Sequence, residues 1–75
     1  MDAKNPLKNK FYLLGRRIQH WRIKRGLTQE RLAEQLKITQ SHLGAVEAGI
    51  KSPSVKLLFR IADKLDVKVE ELFKF

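Results

Sequence analysis

From Lys10 onward, apolar residues recur at intervals of three and four positions, which is the spacing of one face of an α-helix. The first such set is Phe11, Leu14, Ile18 and Trp21. Gly26 follows at a position where a helix can end in a left-handed conformation. Before Lys10 there is no helical period, and Asn5-Pro6 is a turn signal. The pattern therefore predicts a flexible basic N-terminal arm over residues 1–9 and a first helix that begins near Lys10.

Hydroxyl side chains precede the next three runs of helix-forming residues, and such side chains are good helix N-caps. They are Thr28, Thr39 and Ser54. The runs predict helices over residues 29–36, 40–48 and 55–65, and a last short helix follows at about 68–73. The apolar face of the 55–65 helix is assigned to Val55, Leu58, Phe59, Ala62 and Leu65. The chain is therefore predicted to be all-α, with five helices in a single domain over residues 10–75.

Positive charge is concentrated in the first half of the chain. The 75 residues hold 16 Lys+Arg against 8 Asp+Glu, a net charge of +8. Nine bases against two acids give +7 in residues 1–31, and seven against six give +1 in residues 32–75. Such an uneven field indicates a polyanionic partner, with nucleic acid first and an acidic membrane surface second. A basic surface that only keeps a small protein in solution is the alternative reading.

Several classes of protein are disfavoured by what the sequence lacks. With no cysteine there is no disulfide framework, and this composition fits a reducing cytoplasm. No apolar run approaches the length of a transmembrane helix. Two isolated histidines do not suggest a metal site, so no metal or cofactor is expected. There is no glycine-rich phosphate loop and no arrangement of nucleophile, histidine and acid, so the chain is not expected to be an enzyme.

A set of short motifs appears in a fixed order between the predicted helices. They are Trp21-Arg22, Gly26-Leu27-Thr28-Gln29, Leu32-Ala33, Ile38-Thr39, Val46-Glu47-Ala48-Gly49 and Pro53-Ser54. In this order and spacing the chain resembles the lambda-repressor/Cro-type (XRE-like) helix-turn-helix family from about Leu14 to Leu72. The resemblance implies a five-helix DNA-binding domain whose helix-turn-helix motif covers about residues 28–47. It also implies that the partner is double-stranded DNA.

The residues implied to touch DNA lie around the 40–48 helix. The B-DNA major groove is about 12 Å wide and admits one helix, whose N-terminal residues meet the base edges. The first turn, Gln40-Ser41-His42, carries only hydrogen-bonding side chains, although His42 could equally face solvent. A glutamine can bind adenine through two hydrogen bonds. The full set of implied contacts is Thr28, Gln29, Thr39, Gln40, Ser41, His42, Ala45, Lys51 and Arg22.

The same resemblance implies a structural ion pair and two unusual helix ends. Arg22 precedes Gly26 by four positions and Glu47 precedes Gly49 by two, and relatives often join these two side chains in a partly buried pair. Such a pair would hold the DNA-reading helix against the first helix. Lys37 and Asp66 occupy helix ends where relatives usually have glycine, so a left-handed backbone would cost roughly 1 kcal/mol at Lys37 and somewhat less at Asp66.

The chain has more large apolar side chains than a domain of this size needs. Leu57, Phe73 and Phe75 are therefore assigned to a homodimer interface near the last two helices, with folding of both phenylalanines onto the core as the alternative. Dimers in this family type bind two-fold-related half-sites.

The function expected from these features is sequence-specific binding of double-stranded DNA by a small dimeric transcriptional regulator. It would act as an autorepressor or controller on a pseudo-palindromic operator, in a bacterial or phage-type cytoplasm. A module that keeps the fold but binds another protein, as an antitoxin does, is the first alternative. A membrane-surface protein is disfavoured by the regular N-caps and the multi-helix core.

Overall fold

The computed structural model describes the backbone of residues 6–75 and the side chains of residues 9–75. The elements are α1 (Pro6–Lys24), α2 (Gln29–Leu36), α3 (Gln40–Glu47), α4 (Val55–Leu65) and a 3₁₀ helix (Val69–Phe73). Residues 6–75 contain no strand. The all-α prediction is confirmed, with the last predicted helix present as a 3₁₀ helix. Within this part of the chain no helix combines the length and the apolar composition needed to cross a membrane.

α1 begins at Pro6, four residues before the predicted start at Lys10. Proline suits the first position of a helix because its missing N–H has no intrahelical partner there. Residues 6–9 therefore belong to a helix rather than to a flexible arm, and residues 1–5 lie outside the described residues. The prediction missed this first turn because Asn5-Pro6 is a turn signal in the sequence, although Leu7 lies four positions before Phe11 and continues the apolar spacing; Asn9 and Lys10 are exposed.

The three predicted N-caps each hold the start of a helix. The hydroxyl oxygens of Thr28, Thr39 and Ser54 each accept a hydrogen bond at 3.0 Å from the backbone N–H three residues on. At the C-terminal ends, Lys37 (φ 59°) and Asp66 (φ 57°) are both left-handed. These local interactions set the limits of α2, α3 and α4, which leaves short connections between the helices.

One apolar core joins all five elements. α1 contributes Leu14 and Ile18, and the 3₁₀ helix contributes Leu72. The other members are Leu32, Ala33, Leu36, Leu43, Val46, Leu57, Leu58, Ile61, Ala62 and Leu65. Since α3 is only eight residues long, it would be unstable alone, and its position depends on this packing.

Leu57 corrects the predicted orientation of α4. It is only 6% exposed and belongs to the core, whereas Val55 (68%) and Phe59 (54%) are exposed. α4 carries two overlapping apolar stripes, and the one that includes Leu57 and Ile61 packs inward. The assignment of Leu57 to a dimer surface is therefore wrong, because its side chain is already covered by its own chain.

Three arginines bind the last carbonyl oxygens of helices, and a fourth binds a carbonyl oxygen inside the 3₁₀ helix. Arg16 Nη2 donates to the carbonyl oxygen of Glu47 at 2.6 Å, and Arg25 Nε donates to that of Leu65 at 2.7 Å. Arg60 donates to the carbonyl oxygen of Leu36, and the remaining one, Arg17, donates to that of Glu71 at 3.0 and 3.1 Å. Glu47, Leu65 and Leu36 are the last residues of α3, α4 and α2. Cations are favourable at helix C-termini, where carbonyl groups lack intrahelical partners.

Candidate nucleic-acid interface

α2 and α3 form a helix-turn-helix with three residues between them, Lys37 to Thr39. In the turn, the N–H groups of Lys37 and Ile38 donate to the carbonyl oxygens of Glu34 and Ala33 at 3.1 and 3.0 Å. Small Ala33 is 2% exposed, and both helices bury their apolar faces in the shared core. The turn therefore closes with Lys37 in a left-handed conformation, at the position where the sequence resemblance implies glycine.

The first turn of α3 presents polar side chains to solvent. Gln40 and Ser41 are exposed, while Leu43, Val46 and Glu47 on the other side are buried. Within residues 9–75 neither the Gln40 nor the Ser41 side chain makes a hydrogen bond. The fold does not use these two groups, so both are available to an external partner.

The remaining predicted contacts on and before α3 are less exposed. His42 and Ala45 are half-buried. Thr39 is exposed, but its hydroxyl oxygen accepts the N–H of His42, so it caps the helix. Thr28 caps α2 in the same way. Each threonine hydroxyl still has its own O–H to donate.

A buried ion pair fixes α3 against α1. Arg22 Nε and Nη2 lie 2.7 and 3.1 Å from the two carboxylate oxygens of Glu47, and Arg22 Nη1 donates to the carbonyl oxygen of Leu27 at 2.8 Å. Arg22 is 8% exposed and Glu47 1%. All three guanidinium nitrogens are thus engaged inside the chain. The prediction of a DNA contact from Arg22 is therefore corrected, because burial and internal bonding remove it from reach of a phosphate.

Gln29 extends this network to the start of α2. Its Nε2 donates to Glu47 Oε1 at 3.0 Å, and its side chain is half-buried. The resemblance implied a DNA contact from Gln29, but one of its amide N–H bonds is used internally. The first backbone N–H groups of α2 lack intrahelical acceptors and remain suited to an anion.

Lys51 is held close to the end of α3. The N–H groups of Ile50 and Lys51 both donate to the carbonyl oxygen of Ala45, at 2.9 and 3.2 Å. The Lys51 residue is exposed. The interface candidates thus form a run from the start of α2, through the first turn of α3, to the loop that follows it.

Gly15 is a contributor that the sequence pattern missed. A Cβ added there would lie 2.2 Å from the carbonyl oxygen of Glu47, so α1 can cross the end of α3 only at a glycine. Arg16, the next residue, donates to the same carbonyl oxygen. A glycine inside a predicted helix was the available signal, since such a residue often marks a close approach of two backbones.

Comparison with known proteins agrees with this geometry. The helix-turn-helix family HTH_3 matches residues 18–72. An uncharacterized HTH-type transcriptional regulator of Methanocaldococcus jannaschii, MJ0272, is 39% identical over 57 residues, which cover 76% of this chain and 86% of the relative.

Two solved structures resemble this chain in both fold and sequence. The restriction-modification controller protein C.AhdI from Aeromonas hydrophila superposes with a TM-score of 0.84 at 32% identity, over 88% of this chain and 96% of that one. SinR, the master regulator for biofilm formation, solved in complex with DNA, gives a TM-score of 0.74 at 32% identity, over 79% and 95%. This chain therefore belongs to the helix-turn-helix family HTH_3.

Proposed function

We propose that this protein is a sequence-specific, double-stranded-DNA-binding transcriptional regulator that reads the major groove with α3. The observation that carries the proposal is the exposed, internally unbonded pair Gln40 and Ser41 on the first turn of a helix whose other side is fixed by the core. The N-terminal residues of a recognition helix are those that meet base edges. The family and the relatives compared with it are transcriptional regulators rather than enzymes.

Contacts with the DNA backbone are assigned to the residues that flank this turn. The N-terminus of α2 at Thr28 and Gln29 and the N-cap at Thr39 offer backbone N–H groups and hydroxyl groups, and Lys51 offers a cation. Such contacts set the position of a protein on the duplex, whereas base contacts provide selectivity. His42 and Ala45 lie beside Gln40 and Ser41 as secondary base contacts, with Ala45 limited to its methyl group.

A second copy of this chain is proposed to pack against α4. Exposed Val55 and Phe59 lie four residues apart, so they share one face of the helix. Lys56 and Asp63 are exposed on either side of Phe59. In an antiparallel crossing of two α4 helices, Lys56 of one copy would face Asp63 of the other, which makes the surface self-complementary as a two-fold interface requires. Phe73 and Phe75, both about half exposed, extend the same proposal to the C-terminus.

A two-fold symmetric dimer would require a DNA site with matching two-fold symmetry. Two-fold-related recognition helices read half-sites one helical turn apart, about 34–36 Å, so the operator would be pseudo-palindromic. Regulation as an autorepressor or controller fits this arrangement, and a DNA partner supports a site of action in a bacterial or phage-type cytoplasm. The competing proposal is a module that binds another protein through the same α4 surface.

The test uses a duplex selected from a random-sequence pool by the protein itself, compared with a scrambled duplex of the same composition. Fluorescence polarisation should give about a thousandfold tighter binding to the selected duplex, and both affinities should fall steeply with salt. Gln40→Ala should weaken binding to the selected duplex by roughly 1–3 kcal/mol and leave the scrambled duplex unaffected.

Gln35→Ala is the matched control, because Gln35 is another exposed helical glutamine and belongs to α2. It should bind both duplexes as the unaltered protein does. Equal affinity of the unaltered protein for the two duplexes would reject sequence-specific regulation and favour the protein-binding alternative.

A further inference from the structure

Three of the four glycines are required by the packing or the backbone conformation of the chain itself. Gly15 has no room for a Cβ beside the Glu47 carbonyl oxygen. Gly26 and Gly49 have φ angles of 73° and 76°, which side chains disfavour, and a Cβ on Gly49 would also lie 2.6 Å from the Cα of Tyr12. In each case replacement would distort a helix end or a helix crossing.

At Gly44 neither packing nor backbone conformation requires a glycine. It lies in the middle of α3 and is not among the residues with positive φ. The three heavy atoms nearest to a Cβ there all belong to the side chain of Gln29, with Oε1 at 3.4 Å, which is an ordinary van der Waals distance. Alanine would therefore fit, and it would stabilise the helix, since glycine in a helix interior loses more conformational entropy on folding. The fold alone would favour alanine here.

The position of Gly44 relates it to the DNA-reading turn. Residues three and four apart in a helix lie on the same face, so Gly44 follows Ser41 and Gln40 on one side of α3. The next residue, Ala45, carries only a methyl group. Beyond its first turn, α3 thus presents no side chain longer than a methyl on this side.

Building on the proposed function, we infer that Gly44 is a positioning residue for DNA recognition. Its bare α-carbon lets a base-pair edge in the major groove lie against the backbone of α3, which brings Gln40 and Ser41 within hydrogen-bonding distance of the bases. A helix with its side chains is about 10–12 Å across and the groove is about 12 Å wide. A single methyl group at the point of closest approach therefore changes how deeply the helix enters.

The variant Gly44→Ala separates stability from recognition. Its melting temperature should rise by roughly 3 to 6 °C, because alanine favours the helix. Its affinity for the selected duplex should fall at least tenfold, while affinity for the scrambled duplex and the dependence on salt should stay within twofold of the unaltered protein. Gln35→Ala, in α2, should change neither affinity.

A second background tests whether the effect acts through Gln29, the side chain nearest to the added methyl group. In Gln29→Ala protein that neighbour is absent, and Gly44→Ala should still reduce affinity for the selected duplex at least tenfold. Loss of the effect in this background would show that the methyl group acts by displacing Gln29, and would overturn the inference.

The other outcomes are equally decisive. A lower melting temperature for Gly44→Ala would show that the fold itself needs the glycine. Unchanged affinity for the selected duplex would show that the duplex does not approach the backbone at this point. Failure of the unaltered protein to prefer the selected duplex would instead reject the proposed function, and this inference with it.

Discussion

Glu47 joins α1, α2 and α3 at one buried carboxylate. Its oxygens accept two hydrogen bonds from Arg22 and one from Gln29, and its backbone carbonyl accepts one from Arg16. A carboxylate this deeply buried is stable only because its lone pairs are occupied. The orientation of α3, the helix proposed to read DNA, therefore depends on a residue on its buried side.

Replacing Glu47 by alanine should destabilise the protein by about 3 kcal/mol or more, because Arg22 would be left buried without its partner. Chemical denaturation measures this as the free energy of unfolding. Glu34→Ala is the control: Glu34 pairs with Arg31 only at 3.8 Å on an exposed surface, so its loss should cost less than about 0.5 kcal/mol. Equal effects of the two variants would contradict the structural role of Glu47.

Individual residues differ in how far the sequence could predict them. The Arg22–Glu47 pair was implied by resemblance, but the further bonds from Gln29 and Arg16 were not. Their partners lie 18 and 31 residues away, and no local pattern indicates which carbonyl or carboxylate a long side chain will reach. For the same reason Arg22 was assigned to DNA as well, although its burial excludes that contact.

At the scale of elements, the helices are held at their ends as well as by their apolar faces. Threonine and serine cap the N-termini of α2, α3 and α4, and arginines from other elements bind the C-terminal carbonyls. The short helices α2 and α3 gain most from this arrangement, because few residues separate their two unsatisfied ends.

Arg25→Met should destabilise α4 by about 1–2 kcal/mol, because Arg25 donates to the carbonyl oxygens of both Leu65 and Asp66. Lys24→Met is a closely matched control. Lys24 and Arg25 both place a cation within 6 Å of the Trp21 ring, but only Arg25 also binds the carbonyls. Thermal unfolding that shifts equally in both variants would attribute the effect to Trp21 instead.

The 3₁₀ helix should respond to acid through Glu71. A hydrogen bond from Lys74 Nζ at 2.7 Å, with the nearby charges of Lys74, Arg17 and Lys68, holds the pKa of Glu71 below its ordinary value. A lowered pKa in the folded state means that the ionised carboxylate stabilises the fold, so this contribution is present above the unfolded pKa and is lost as pH falls through the folded pKa.

An NMR pH titration of the Glu71 carboxyl carbon measures that pKa directly. In Lys74→Met protein the pKa should move back up toward the ordinary range, since the main cause of its lowering is removed. Lys64→Met changes the net charge equally on α4 and should leave the Glu71 pKa in place. An unchanged value in the Lys74 variant would contradict the assignment.

The limits of a helix, which depend on adjacent residues, could be predicted from the sequence. The orientation of a helix in the fold could not. A cap acts over three residues, so Thr28, Thr39 and Ser54 mark helix starts in the sequence itself. The buried side of α4 depends on which of two apolar stripes faces α1, α2 and the 3₁₀ helix. Leu57 and Phe59 are both apolar, and only the packing of the whole chain distinguishes them.

At the scale of the molecule, the positive charge has two uses. Of the nine bases in residues 1–31, Arg16, Arg17, Arg22 and Arg25 bind carbonyl or carboxylate oxygens of the chain itself. Lys4 and Lys8 lie outside the residues whose side chains are described. The total of +8 therefore overstates the number of cations available to phosphates, and the salt dependence of DNA binding will report the smaller number.

The proposed two-fold interface can be tested by substitutions confined to α4. Phe59→Glu should convert a dimer to an 8.8 kDa monomer in sedimentation equilibrium without lowering the free energy of unfolding of the monomer, because Phe59 is exposed. Reversing either Lys56 or Asp63 should also weaken the dimer, and reversing both should restore it. An unaltered protein that sediments only as a monomer at micromolar concentration would reject the interface.

Gln40 and Ser41 are distinct from the residues that hold α3 in place. This has a consequence for how the sequence of the protein can change. Within residues 9–75 neither side chain makes a hydrogen bond or belongs to the core, so a library that varies both should consist mainly of folded members. If these residues read the operator as proposed, new operator preferences are accessible one or two substitutions at a time, without compensating changes elsewhere. Under the proposed function, the domain is accordingly a scaffold on which DNA specificity can diverge between descendants or be reassigned by design.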